Sequence, residues 1–328
     1  MFKRKLLLIF CFMFAGSFVL AKKPPTLPNS YNAVSVSARS FAMGQAGVAV
    51  PANLEGIFYN PASIAYIQEE KIQAEMLFTV SRESGALKNA INMTDPIDIG
   101  FDSFAAAQRQ GALSWRTLSS NKVEISDGSD WYNKQENIKA ITISAGNQGD
   151  NGSAMGLNIS YLYGTLAESS YISGIPFAQT SSGNGVSVDI GFMTPVSYGL
   201  TFGVNFENVV GFMWWENYDF DQLPFGIRTG LGYNTQSFSL LLDFDKKFYR
   251  FGDINENIVG VGLEQYITSY LCLRLGAQGS SLSDNEKLKY TYGIGLNIST
   301  FMLSVSGEKY KLDEENISKY LVSLRVLI

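Results

Sequence analysis

The 328-residue chain contains no histidine. That absence removes Ser-His-Asp and Cys-His nucleophilic chemistry, and every metal site built on imidazole, before any motif is sought. Cysteine is nearly as scarce, with Cys11 and Cys272 the only two. Charge is low as well, at 17% of residues against about 25% in a typical soluble domain. Disorder is excluded from the other side, because a 46% hydrophobic content is ample to bury a core. Long apolar runs are missing beyond the N-terminus. The longest, Val209–Trp215, is far short of the roughly 20 residues of a spanning helix. These absences point away from an enzyme and away from any cofactor or metal.

The N-terminus reads as a secretory signal peptide over residues 1–21. Met1-Phe-Lys-Arg-Lys5 is a basic start, Leu6–Ala15 an unbroken apolar stretch, and Val19-Leu20-Ala21 a small-residue cleavage site. Phe10 precedes Cys11 where a lipoprotein signal has a small residue, so lipidation is not expected. Loss of the leader takes Lys3, Arg4 and Lys5 with it and leaves 22 basic against 30 acidic residues, a charge of −8 in place of −5. Nucleic acid does not suit such a chain. Only Cys272 survives processing, which forbids an intramolecular disulfide even in an oxidising compartment.

The exported part is patterned at period two. Tyr290, Tyr292, Ile294, Leu296 and Ile298 fall on one face of a strand, with Thr291, Gly293, Gly295 and Asn297 on the other. No helix produces that alternation, and it recurs around Val186–Phe192, Leu200–Phe206, Phe225–Tyr233, Leu271–Leu275 and Tyr320–Ile328. The connections alternate short and long, as in outer-membrane barrels with tight periplasmic turns and longer external loops. Leu166–Gly183 and Phe212–Leu223 read as long loops, and Met213, Trp214 and Trp215 as ligand-capturing apolar side chains in the latter. An even strand number requires a tight turn at Gln108–Gly111, which gives fourteen strands, at about 70–80, 101–107, 111–125, 136–146, 152–165, 184–196, 198–211, 223–234, 237–248, 256–267, 270–279, 289–299, 301–310 and 318–328.

A soluble all-β sandwich shares the alternation. The second face argues against it. Asp189, Asn205, Glu207, Arg228, Asp243, Glu264 and Arg274 recur there near mid-strand, as the lining of a polar lumen would. Gly295→Ser on that face is expected to be mild. Gly260-Val-Gly262 and Gly293-Ile-Gly295 mimic part of a dinucleotide loop but open no helix, so they read as small lumen-facing residues. The acidic loops Asp127–Asp130 and Asp219–Asp221 need no bound ion, and Asn92-Met-Thr94 is without meaning in a bacterial envelope.

Residues 22–67 differ in kind, with Ala33–Ile67 rich in Gly, Ala and Ser and lacking long alternation. Gly44, Gly47 and Gly56 permit close backbone approach, and Asn60-Pro61-Ala62 favours a turn. The bland reading is a disordered leader or an extra edge strand. The runs Ala38-Arg-Ser-Phe-Ala-Met-Gly44-Gln-Ala46 and Gly56-Ile-Phe-Tyr-Asn60-Pro61-Ala62 resemble the N-terminal motif of the FadL-type fatty-acid transporter superfamily, especially its PorV-like branch. Gly183–Gly191, Leu223–Gly230 and Gly260–Tyr266 are similar too. Gln45 stands where the superfamily usually has Gly, and Ile328 ends the chain where barrel assembly signals usually carry an aromatic. The resemblance implies an all-β, transmembrane antiparallel β-barrel of about 14 strands, residues 68–328, with an N-terminal luminal plug over 22–67. It implies a bacterial outer-membrane location with lipid as partner, and passive transport of hydrophobic or amphipathic, fatty-acid-like molecules. The PorV branch implies instead an accessory partner of exported proteins.

Overall fold

The computed structural model describes residues 35–67, 71–81, 98–127, 129–249, 255–280, 288–312 and 315–328. The expected signal peptide, the leader before Ser35 and Asn92–Thr94 lie outside these residues.

Fourteen long strands follow one another: β1 Gln73–Ser81, β2 Asp98–Gln108, β3 Gly111–Asp127, β4 Asp130–Gln148, β5 Ala154–Ile172, β6 Ile175–Ser197, β7 Leu200–Trp215, β8 Phe225–Asn234, β9 Phe238–Phe248, β10 Asn255–Tyr266, β11 Leu271–Gly279, β12 Lys289–Ile298, β13 Phe301–Leu312 and β14 Glu315–Leu327. Each pairs antiparallel with its neighbours in sequence, and β1 closes on β14 through Gln73↔Leu327 to Val80↔Tyr320. The result is a closed antiparallel barrel. The even count rests on the turn at Arg109-Gln110, which joins β2 to β3 as the alternation required. Among the described residues no helix is long and apolar enough to cross a membrane. In a barrel the backbone groups find their partners in the next strand, which leaves the outer face free to be apolar.

The two faces separate as the period-two pattern demands. Ile294 is 49% exposed and Leu296 40%, whereas Thr291 between the exposed Tyr290 and Tyr292 is only 2% exposed. Two expectations need correction. Leu166–Gly183 is not a loop: β5 and β6 run on to Ile172↔Ile175 and turn at Ser173-Gly174, both with positive φ, which suits the right-handed twist of a tight hairpin. Polar Ser and Thr in this stretch sit on a strand above the apolar band, where polarity signals water and not irregular backbone. Nor are Met213–Trp215 in a loop. They end β7, with Met213 and Trp215 buried and Trp214 exposed, and the two-residue strand Asp221–Gln222 folds back to pair with Phe212 and Met213.

Strands β3–β6 therefore rise above the rest of the barrel as a one-sided wall. Its outward side carries Lys122, Glu124 and Gln135, and its inward side carries the buried cluster of Leu118, Ile138, Leu162, Leu166, Met213 and Trp215.

Ile294→Arg places a charge on the outward apolar band and is expected to destabilise the barrel by about 2–4 kcal/mol, read as a lower urea midpoint for loss of the compact, unboiled gel band. Gly111→Ala, where an added Cβ meets nothing within 4 Å, should leave that midpoint in place. Equal midpoints for both variants would reject the register.

Candidate functional site

Residues 35–67 lie against the inward faces of the strands. Three short helical turns shape them: α1 Ala38–Ala42, capped by Ser37 accepting from the Arg39 amide, and two 3-10 turns at Leu54–Phe58 and Pro61–Tyr66. Asn60 caps the last, accepting from the Ala62 amide at 3.0 Å, with Pro61 at the first helical position. Its Nδ2 donates to the carbonyls of Val48 and Phe192, both at 2.9 Å, so one side chain joins two parts of the segment to β6.

The barrel accommodates this backbone by omitting side chains. A Cβ on Gly156 or Gly191 would strike Pro61 and Asn60, one on Gly203 the Val48 carbonyl, and one on Gly260, Gly262 or Gly276 the Met43–Gly44 backbone. The Gly260–Gly262 pair that mimics a nucleotide loop is thus a recess for the inner segment. Gly44 and Gln45 both adopt positive φ, 64° and 57°. Gln45 therefore sits in a left-handed geometry that costs a non-glycine residue about 1–2 kcal/mol.

The expected lumen residues fall into three groups. Glu264 and Arg274 belong to a string of alternating charge. Arg274 Nε donates to Glu264 at 2.6 Å, Arg39 donates to Glu264 at 2.8 and 2.9 Å and to Glu55 at 2.8 Å, and Arg325 reaches Glu55 at 3.6 Å and Glu75 at 2.7 Å. Ser304 and Ser37 hydrogen-bond its two ends, to Arg274 and Glu75. Three guanidinium groups and three carboxylates alternate, from β11 and β10 through the inner segment to β14 and β1. Asp243 forms a second anchor, accepting the Gly47 and Val48 amides at 2.6 and 2.9 Å.

The third group sits on the other side of Phe58 and Tyr59. Arg228 pairs with Asp245 at 2.7 Å and Glu207 at 3.3 Å and lies over the Tyr59 ring. Asp189 accepts from the Asn208 amide and from Asn158, which also donates to the Ile57 carbonyl. Asn205 is buried, with its Oδ1 unpartnered among the described residues. Six of the seven expected lining residues, all but Asn205, are therefore engaged with each other, with the inner segment or with neighbouring wall residues.

Sequence reasoning missed Arg39, Glu55, Glu75 and Arg325. Arg39 lay within the quoted motif, and a lone Arg in a Gly-Ala-Ser-rich stretch was the available signal. Gly47 meets the Tyr59 ring and Gly56 meets Ser63, so these two expected motif residues serve contacts inside the segment, whereas Gly44 serves the wall. Gly295 also differs from expectation. A side chain there runs into Cys272 and the Arg274 guanidinium, so Gly295→Ser disturbs the charge string and is not mild.

Two cavities flank this assembly. One of about 220 Å³, toward the long-loop end, is lined by Phe58, Tyr59, Arg116, Arg228, Lys247 and Lys289 among others; one of about 200 Å³, toward the turn at Ser299-Thr300, is lined by Asn297, Met302 and Arg325. Beside the first, the wall parts. Pairing of β2 with β3 stops at Ser103↔Arg116, yet β2 continues along β1 to Ser81↔Asp98 and β3 continues along β4 to Asp127↔Asp130. Phe101 stacks on Trp115 at the lower lip, ring centroids 5.1 Å apart.

Burial alone raises the Glu55 carboxyl, but Arg39 and then Arg325 outweigh it and hold Glu55 well below the usual carboxylate range. A depressed acid contributes stability that is present above its unfolded pKa, about 4.3, and is lost as pH falls through the folded value. Docking of residues 35–67 should accordingly persist at pH 5 and weaken only well into the acid range, read as protease cleavage of the segment. Glu55→Gln should be cleaved more readily at neutral pH and respond less to acid. Arg39→Leu leaves Glu264 and Glu55 short of a partner and is expected to cost about 3–5 kcal/mol, measured by the same cleavage assay and by thermal unfolding in detergent. Cleavage of both variants at the parental rate would show that the string does not anchor the segment.

No protein-family model matches the sequence. No curated protein matches it either. In structure it is similar to the toluene transporter TbuX of Ralstonia pickettii, at 11% identity and a TM-score of 0.65, over 92% of this chain and 99% of that one. The toluene transporter TodX of Pseudomonas putida is similar at 10% identity and TM-score 0.63, over 92% and 99%. A FadL homologue of Pseudomonas aeruginosa is similar at 10% identity and TM-score 0.64, over 91% and 99%. The narrower likeness to the PorV-like branch has no counterpart among these three. At the level of fold the resemblance read from the sequence holds: this chain is a closed fourteen-strand barrel with the fold of FadL-type outer-membrane transporters.

Proposed function

We propose that the protein admits hydrophobic or amphipathic small molecules through the bacterial outer membrane, with residues 35–67 as a plug that blocks the axial route. The parted wall between β2 and β3 carries this reading. An axial path would take an apolar solute through the alternating ions, where transfer from an apolar surface is unfavourable. A sideways path avoids the string, passing Leu118 and Ile138 on its inner side beside the polar group of Ser119, Asn121 and Glu136, and Phe101 and Trp115 on its outer side. The cluster of Leu118, Ile138, Leu162, Leu166 and Met213 faces the lumen on the same wall, and Phe101 and Trp115 stand at the lip facing outward. A solute captured at the mouth by the first set leaves past the second into the apolar layer, without crossing the charge string. The fold shared with two toluene transporters and a FadL homologue supports the class of cargo. The leader, its cleavage and the periplasmic placement of the short turns belong to the same reading.

The chain's own residues divide the work. Asn60, Asp243 and the charge string hold the plug; Gly44 and the wall glycines let it sit flush; Phe58 and Tyr59 close its upper surface beneath Arg116 and Arg228. Arg116, whose guanidinium lies over the Phe58 ring beside the larger cavity, favours a cargo with an anionic head over a bare hydrocarbon.

Proteoliposomes bearing the full mature chain should take up labelled long-chain fatty acid faster than protein-free vesicles while showing little ion current. Removal of residues 22–67 should give larger and steadier currents in planar bilayers, since a fourteen-strand bore is intermediate between filled eight-strand and open sixteen-strand barrels. Asn60→Ala should give a smaller rise. Unchanged current in a folded deletion variant would withdraw the plug. Absence of uptake by the intact protein would withdraw transport and leave the accessory role in protein export that the PorV-like likeness implies.

A further inference from the structure

The outward face of β4, β5 and β6 changes chemistry in a fixed order along the strands, and these strands with both turns joining them are described throughout. Toward the short turns the face is apolar, with Ile141, Ile143, Leu157 and Ile159 exposed. Aromatic rings follow. Trp115 of β3 donates its indole N–H to the Tyr163 hydroxyl at 2.8 Å, Tyr163 stacks with Tyr161 at 6.1 Å, and the Tyr161 hydroxyl donates to Asn184 Oδ1 at 2.6 Å. Such a row marks the boundary between lipid tails and water on a membrane barrel. Beyond it the outward positions are Asn137, Thr165 and Ser182, then Gln135, Ala167 and Thr180, a shelf of amides and hydroxyls.

Lys139 is the cation of this boundary. Its sequence neighbours Ile138 and Ala140 are buried, at 0% and 1% exposure, so its own side chain points out of the barrel. It stands opposite Tyr163, which stands opposite Asn184. Its ammonium lies 5.6 Å from the centre of the Trp115 ring, and no carboxylate pairs with it among the described residues. Lys122, the other outward cation of the tall wall, stands higher, opposite Gln135, and is taken by Glu124 at 2.5 Å. An ammonium without a counter-ion, set where lipid tails give way to headgroups, is complementary to an anion held at that same depth.

We infer that the outward face of β4–β6 holds the phosphorylated saccharide headgroup of an outer-leaflet glycolipid. Its acyl chains would lie along Ile141 and Ile159, a phosphate on its sugar would meet the Lys139 ammonium, and further sugars would rise along Asn137, Thr165 and Ser182. Tail, anion and polyol occur in that order in a molecule of this class. A plain phospholipid supplies the first two and leaves the polar shelf without a partner. The wall is tall enough for a saccharide, since the nine residues from Lys139 to Asp130 make about 30 Å of strand at about 3.3 Å each. This surface rests on the outer-membrane location that the fold implies and is independent of the transport reading.

The test titrates the full mature chain in detergent micelles with three probes, read by native mass spectrometry. They are lipid A phosphate bearing core sugars, the same glycolipid with its phosphates removed, and phosphatidylglycerol. The first should be retained at one equivalent, and each of the other two should bind about tenfold more weakly. Lys139→Gln should weaken the first about tenfold and erase its advantage over the dephosphorylated form, whereas Lys139→Arg should keep both. Lys246→Gln removes an outward ammonium that lies over Phe248 on β9, away from this face, and should change nothing. Thr165→Val should weaken the glycolipid and leave phosphatidylglycerol as it was. The compact, unboiled gel band certifies the fold of each variant. Phosphatidylglycerol bound as tightly as the glycolipid would reduce the face to general attraction of anionic lipid and overturn the proposal. So would parental affinity in folded Lys139→Gln, or an equal loss in Lys246→Gln.

Discussion

The structure depends on one string of ions. Arg274, Glu264, Arg39, Glu55, Arg325 and Glu75 alternate in sign across the bore, so each buried charge has an opposite charge within hydrogen-bonding reach. Any one of these groups alone would carry a heavy desolvation cost in that place. Together they are neutral, and two of the six, Arg39 and Glu55, come from the inner segment. The barrel's four ions pair within the wall, Arg274 with Glu264 and Arg325 with Glu75, and the segment's Arg39 and Glu55 bridge those two pairs, which fixes the segment's position.

Close approach makes that exchange geometrically workable. The inner segment is not a regular element, so part of its backbone finds partners beyond its own turns. Asp243, Asn158 and Thr291 supply several of them. Side-chain reach is short, and the wall meets the segment halfway by having no Cβ at Gly156, Gly191, Gly203 and Gly276. Glycines that look like a loss of strand propensity are the condition for hydrogen bonds across the lumen.

The barrel's departures from uniformity lie together on one side. Strands β3–β6 outgrow their neighbours, β2 leaves β3 at Arg116, and the inner apolar cluster begins at Leu118. A wall can part only where each strand keeps a partner on its other side, and here β1 and β4 supply those partners. The tall wall and the gap beside it therefore meet at one strand, β3.

Strand number, face assignment and the distinct nature of residues 33–67 were set by the sequence itself. Alternation at period two is a local property of covalent geometry, and the even count follows from both ends of the barrel lying on one side. The sequence also placed Glu264, Asp243 and Arg274 on the inner face. It left undecided whom they would meet, because Arg39 and Glu264 lie 225 positions apart and nothing local distinguishes a lumen carboxylate facing water from one facing a guanidinium. Loop lengths were misread at Leu166–Gly183 for a related reason: above the apolar band a strand needs no hydrophobic face, so only its pairing with β4, through Glu136↔Leu166 and beyond, reveals it. The parted wall depends on which strand ends beside which. That is decided when the barrel closes, by register summed around fourteen strands, and no segment carries it alone.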